Sequence, residues 1–102
     1  MSRNDLTQKT GFDWDQGNSR KNEKHGVTLE EVEQVFANRP VVVLPDAAHS
    51  VAEERFLALG RTDHGRLLAV IFTLRELGSS IRPISARPMS RKERTHYEEV
   101  ET

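Results

Sequence analysis

The chain has 102 residues, of which 35% are hydrophobic and 30% are charged, so it is long enough for one domain with a modest core. It contains no cysteine, which excludes disulfide bonds and thiolate metal sites, and no apolar run reaches the length of a membrane-spanning helix. Its net charge of −1 is not typical of a general nucleic-acid-binding protein, because such proteins are basic overall. We expect a soluble cytoplasmic protein.

The charge is divided unevenly along the chain. Residues 1–54 carry 6 lysines and arginines against 10 acidic residues, whereas residues 55–102 carry 9 against 6. The two halves therefore have net charges of −4 and +3. This segregation predicts a local basic surface formed by the second half of the chain.

The beginning of the chain is polar. Residues 1–11 show no periodicity and predict a flexible N-terminus, so we expect a single domain over residues 12–102. The alternation in Phe12-Asp13-Trp14-Asp15 predicts a short strand or an anchor with both aromatic side chains on one side. The segment that follows is highly polar, and Gly26 is a candidate helix stop.

The clearest helix spans Thr28–Ala37. Thr28 and Glu31 have the spacing of a capping box, and Pro40 follows the end of the pattern. Four apolar residues recur at helical spacing and predict one buried face: Leu29, Val32, Val35 and Phe36. A short strand is predicted next, over Val41–Leu44.

The second half predicts a small antiparallel meander and a closing helix. Its three strands are expected over Arg55–Gly60, Arg66–Leu74 and Ser80–Arg87, with turns around residues 62–65 and 77–79. Pro83 lacks the donor that a central strand needs, which favours an edge or a bulge there. Ser90 and Glu93 form a second capping box, which begins a helix that extends to about Val100. The fold class is therefore two-layer α+β.

Arginine recurs inside these strands, although it is seldom buried without a partner. Strand alternation places Leu68, Val70, Phe72 and Leu74 on a core face, with Arg75 on the opposite side. In the last strand Arg87 shares a side with Ser85, opposite Arg82. We interpret Arg75 and Arg87 as paired across one open face, where they would bind a polyanion. The alternative is that these arginines are solvated or form salt bridges.

Ordered blocks of sequence across residues 12–99 resemble the BrnT family. They are Phe12-Asp13-Trp14-Asp15, Asn22-Glu23-Lys24-His25-Gly26-Val27, Glu53-Glu54-Arg55-Phe56, Thr73-Leu74-Arg75, Ile84-Ser85-Ala86-Arg87, Glu93-Arg94 and Tyr97-Glu98. Two residues depart from the family pattern, Pro83 and Pro88, and both bear on where Arg87 is placed.

The resemblance implies a RelE-like fold and the toxin of a type II toxin–antitoxin pair. Such toxins are metal-independent ribonucleases, with no cofactor, that inhibit translation by cleaving RNA. The resemblance also implies a BrnA-type antitoxin as partner, which neutralises the toxin and links the complex to operon DNA. A different class remains open, in which the chain is a catalytically inactive binding module that engages an antitoxin and acts only in operon autoregulation.

RNA cleavage without a metal requires a base, an acid and positive charge on the phosphorane. We expect His25 or Glu54 to act as base or acid, Arg75 and Arg87 to hold the phosphate, and Lys24 to add charge. Further RNA contacts are expected from Arg66, Arg82, Arg91 and Tyr97.

Other residues have less certain assignments from the sequence alone. For Tyr97, a lone tyrosine beside Val100, the sequence favours packing on the sheet over an RNA contact. Glu53, next to Glu54, has a position from which it would orient an arginine or act as a base. His49 and Asp46 do not match the spacing of an established metal site, so no metal is expected.

Overall fold

The computed structural model of the chain describes residues 11–21, 25–46 and 53–101. Over these residues the chain forms one five-stranded sheet and three α-helices. The strands are β1 (Gly11–Phe12), β2 (Val42–Pro45), β3 (Phe56–Arg61), β4 (Leu67–Arg75) and β5 (Ser80–Pro88). The helices are α1 (Gln16–Lys21), α2 (Leu29–Ala37) and α3 (Arg91–Glu101).

The sheet is mixed rather than purely antiparallel. Its strand order is β1-β5-β4-β3-β2, and β2 to β5 form the predicted antiparallel meander. β1 pairs with β5 in parallel, with Gly11 opposite Ser80 and Phe12 opposite Ile81. Gly11, assigned from the sequence to the terminal segment, is thus part of the sheet. The prediction missed this pairing because parallel strands are joined by long connections that leave no local sequence signal.

Helix α2 begins at the predicted capping box. The Thr28 hydroxyl accepts a hydrogen bond from the Glu31 backbone N–H at 3.1 Å, and the Glu31 carboxylate accepts one from the Thr28 N–H at 2.9 Å. The helix lies close against β3, because a Cβ atom at Gly60 would come within 2.7 Å of Val35 Cγ1. The predicted apolar face of the helix is confirmed, with Val32 and Phe36 also buried.

The two faces of the sheet are covered differently. On the first face, α2 packs over the predicted core side of β4, where Leu68, Val70 and Phe72 are buried. Phe12 and Trp14 join this core together, which confirms that both aromatic side chains lie on one side. On the second face, α3 covers one end of the sheet through a smaller cluster made of Leu59, Ala69, Met89 and Tyr97.

A β-bulge in β5 changes which arginines share a face. Ser85 lies opposite Ile71, but the next pair is Pro83 with Phe72, so Ile84 is the extra residue. The bulge confirms the expectation at Pro83. It also places Arg82 opposite Thr73, on the second face of the sheet together with Arg87. The predicted arrangement, with Arg82 opposite Arg87, is wrong because simple alternation does not continue through a bulge.

Candidate functional site

The basic residues expected at the site are divided among three places. Arg66 lies at the start of β4, where its side chain reaches the backbone before α2. Arg75 and Arg82 lie at the opposite end of the sheet, beside the turn between β4 and β5. Arg87 and Arg91 lie where β5 leads into α3. Lys24 falls outside the described residues.

Arg75 and Arg87 are not neighbours, contrary to the expected pairing. In the antiparallel hairpin Arg75 lies opposite Ser80, whereas Arg87 lies opposite Ala69. Along β4, Ala69 and Arg75 are six positions apart, which corresponds to about 20 Å. Both arginines come late in their own strands, and antiparallel pairing places the late parts of two strands at opposite ends. The two arginines therefore do not lie side by side in this structure.

Arg66 has a structural role in this conformation. Its guanidinium donates to the carbonyls of Gly26 at 2.8 Å and His25 at 3.2 Å, and it forms a salt bridge of 3.2 Å with Glu31. It thereby fixes the segment that leads into α2. Arg66 and Arg75 are nine positions apart along extended chain, which corresponds to about 30 Å. The His25 backbone, which Arg66 contacts, therefore lies near the end of the sheet opposite Arg75.

Arg75 and Arg82 form the centre of a charged group that we call the arginine cluster: Arg75, Arg82, Asp13, Asp15 and Glu53. Arg75 Nη1 lies 2.6 Å from Glu53 Oε2, and its Nε lies 3.9 Å from Asp13 Oδ2. Arg82 Nη1 lies 3.3 Å from the same Asp13 oxygen, and its Nη2 lies 2.8 Å from Asp15 Oδ2. One carboxylate oxygen is therefore within 4 Å of both guanidinium groups.

The acidic side of the cluster is held in place by Asn18, which is buried. Its side-chain amide donates to the carbonyls of Asp13 and Pro83, each at 2.9 Å, so α1 is anchored to the bulge of β5. The Asn18 backbone N–H donates to Asp15 at 3.0 Å. This backbone hydrogen bond, followed by that from Arg82, lowers the pKa of Asp15, and the hydrogen bond with Asp15 raises the pKa of Arg82.

A cleft of about 220 Å³ opens beside the cluster. Its lining residues are Gly17, Asn18, Glu53, Arg55, Arg82 and Ile84. Glu54 lies at this end of the sheet, with its backbone carbonyl accepting from Thr73 Oγ1 at 2.7 Å and its side chain exposed. The expectation that Glu53 orients an arginine matches its contact with Arg75.

Sequence reasoning missed Asp13 and Asp15 as partners of the arginines. The signal was present, because the same alternation that puts Phe12 and Trp14 in the core puts both carboxylates on the other side. Arg55, which lines the cleft, was also left out of the expected site.

Arg87 is fixed to the beginning of α3. Its guanidinium makes a two-pronged contact with the Glu93 carboxylate, at 2.6 and 2.9 Å. The same carboxylate accepts from the Ser90 N–H at 2.9 Å, which confirms the predicted capping box. These contacts, that of Arg87 foremost, lower the pKa of Glu93 to about 2. Arg87 therefore joins β5 to α3 in this conformation.

The remaining expected residues lie on α3. Tyr97 is fully buried, and its hydroxyl donates to the Pro40 carbonyl at 2.7 Å, so the structure gives it the packing role rather than a place on the surface. Burial also raises the pKa of Tyr97. Arg91 is exposed on the first turn of the helix.

Metal-binding groups and membrane-spanning helices are both absent from the described residues. None of the groups of histidine and acidic side chains described there is arranged to hold a metal ion, while His49 lies outside the description. No described helix combines the length and apolar character needed to cross a membrane.

Two of the carboxylates in the cluster are well exposed to solvent. The side chains of Asp13 and Asp15 are 42% and 53% exposed, and exposed ion pairs contribute little to the stability of a fold. The cluster therefore brings two guanidinium groups together at the surface, where their partners are carboxylates of the chain itself.

Comparison with known protein families identifies a match over most of the chain. The family model for BrnT, the ribonuclease toxin of a type II toxin–antitoxin system, matches residues 14–93, which include every residue of the arginine cluster except Asp13. No curated protein matches the chain. Since the match covers well over half of the sequence, this chain belongs to the BrnT family of ribonuclease toxins of type II toxin–antitoxin systems.

Proposed function

We propose that this chain is a metal-independent endoribonuclease with a RelE-like fold, which inhibits translation in the cytoplasm by cleaving RNA. A BrnA-type antitoxin neutralises it, and DNA is contacted only through the antitoxin complex. The family supplies the ribonuclease and toxin classes. The observation that carries the proposed site is the shared contact of Arg75 and Arg82 with a single oxygen of Asp13.

The Asp13 oxygen marks where a phosphate oxygen of RNA would bind. Guanidinium groups donate in a planar fork that matches phosphate, and two of them around one oxygen neutralise the charge that builds up on a phosphorane. Arg82 keeps its contact with Asp15 when Asp13 is displaced, so it stays oriented. Arg55 adds a third cation at the wall of the cleft.

In this proposal, carboxylate side chains carry out the proton transfers of RNA cleavage. A base removes the proton of the 2′-hydroxyl, the 2′-oxygen attacks phosphorus, and the bond to the 5′-oxygen breaks as an acid protonates it. The products are a 2′,3′-cyclic phosphate and a 5′-hydroxyl. Glu54 or Glu53 takes the role of base, because both lie at the end of the sheet that carries Arg75 and Arg82. His25 does not share this site.

The second candidate function is the binding module without catalysis. It is favoured by one observation, that both arginines of the cluster already contact carboxylates of the chain itself. In that case the cluster serves the antitoxin, and the chain acts only in operon autoregulation.

Purified chain incubated with RNA in the presence of EDTA separates the two functions. The proposal predicts fragments that end in a 2′,3′-cyclic phosphate, with a rate that EDTA does not change. Induction of the chain without antitoxin is expected to stop growth and protein synthesis. Intact RNA together with normal growth would instead support the binding module.

A further inference from the structure

An apolar groove lies between α3 and the edge of the sheet formed by β2 and β3. It has a volume of about 290 Å³ and is lined by Leu44, Leu57, Leu59, Lys92, Glu93 and His96. Leu59 is buried beneath α3, whereas Leu44 and Leu57 remain partly exposed. This volume is at the small end for a ligand pocket, so it suits a few anchoring side chains better than a whole small molecule.

The rim of the groove carries positive charge that the described part of the chain does not balance. Lys92 lines the groove, and its neighbour Arg91 lines an adjoining depression on α3. Both are exposed on the first turn of the helix, and neither forms a salt bridge with another described residue. In contrast, five arginines of the sheet are all paired with carboxylates: Arg61, Arg66, Arg75, Arg82 and Arg87. An exposed cation without a described ion-pair partner thus lies next to the partly exposed Leu44 and Leu57.

This combination distinguishes a protein partner from a nucleic acid. A phosphate backbone would use the cations but would leave the leucine floor without a matching surface. A peptide segment with aliphatic side chains and neighbouring carboxylates satisfies both, because apolar anchors fill the groove and acidic residues meet its rim.

We propose that this groove is a docking site for the antitoxin, and that it binds a segment with aliphatic anchors flanked by carboxylates. The inference deepens the proposed function and rests on it for the partner. Leu57 in β3 is two residues from Arg55, which directly precedes the strand and lines the cleft at the arginine cluster. A segment docked in the groove can therefore continue over the cleft, and docking and inhibition become two separable contacts of one partner.

The test measures the affinity of the full chain for the antitoxin encoded beside its gene, by isothermal titration calorimetry. Lys92→Glu reverses a charge at the rim, and Arg94→Glu makes the same change on the same helix outside the groove. Leu44→Ser removes an apolar wall, with the fully exposed Leu77→Ser as its control. We expect Lys92→Glu and Leu44→Ser to weaken binding about tenfold or more, and both controls to change it less than about twofold.

Equal affinities for wild type, Lys92→Glu and Leu44→Ser would overturn the proposal. Loss of RNA cleavage by Lys92→Glu with unchanged antitoxin affinity would overturn it in favour of an RNA surface. If Leu44→Ser does not fold, as judged by circular dichroism, the comparison of antitoxin affinity between Lys92→Glu and Arg94→Glu tests the proposal instead. Weakened antitoxin binding in a chain whose wild type cleaves no RNA would support this docking site while rejecting the proposed catalytic function.

Discussion

At the scale of single residues, the partner of each arginine decides its role. Arg66 and Arg87 are held in place by a backbone segment or a helix start, whereas Arg75 and Arg82 meet exposed carboxylates at an open cleft. Sequence alone shows five similar arginines in strands. It does not show these differences, because the partners come from segments distant in sequence, such as Asp13 and Asp15.

Asp13→Asn tests the idea that this carboxylate occupies a phosphate position. Removing its charge is expected to lower the KM for RNA several-fold, because the substrate no longer competes with a bound anion. The measurement is steady-state cleavage of a short RNA. Glu98→Gln, an equal charge change on the exposed face of α3, is the control and should leave KM unchanged. A raised KM in Asp13→Asn would show that the carboxylate assists binding.

The contact between Glu93 and Arg87 predicts a loss of stability in acid. The folded-state pKa of about 2 lies below the ordinary 4.5, so the stabilisation is fully present above pH 4.5 and disappears as the pH falls toward 2. After allowance for solvent around Arg87, it is on the order of 2 kcal/mol. Glu93→Gln should remove this part of the pH dependence in urea unfolding. A wild-type curve and a variant curve that stay parallel across this range would contradict it.

At the scale of elements, local signals gave accurate predictions where one face of an element is buried. The capping boxes of α2 and α3 and the alternation of β4 are all present, since caps and periodicity depend on neighbouring residues alone. The bulge at Pro83 was expected, but its effect on Arg82 was not. A bulge reverses the alternation beyond it, and the sequence does not fix which residue is the extra one.

Gly60→Ala tests the contact between α2 and β3. The added methyl group would lie 2.7 Å from Val35 Cγ1 and 3.0 Å from its carbonyl oxygen, so the helix must shift. We expect a loss of about 1–3 kcal/mol in the free energy of unfolding, measured with urea. Gly11→Ala, where an added Cβ meets nothing within 4 Å, is the matched control. Equal stability of the two variants would show that α2 is not seated on Gly60.

At the scale of the whole molecule, the α+β class and the family were both predictable, because they rest on element order and on blocks spread along the chain. The parallel pairing of β1 and the arrangement of the site were not. Both depend on contacts across more than 60 residues, such as Asn18 with Pro83 and Asp15 with Arg82. These contacts bring Asp15 and α1 to the end of the sheet that holds Arg75 and Arg82, whereas the His25 carbonyl and Arg87 lie toward the other end.

The most direct test of this placement is the single-turnover rate of RNA cleavage, in EDTA, by Arg82→Ala and His25→Ala. We expect Arg82→Ala to be slower than wild type by about 100-fold or more, since it loses a donor to the phosphorane, with Arg82→Lys recovering part of the rate. His25→Ala should cleave within about threefold of wild type, because the His25 carbonyl contacts Arg66, which about 30 Å of strand separates from Arg75. The opposite result, a fast Arg82→Ala and an inactive His25→Ala, would contradict a catalytic site at the arginine cluster.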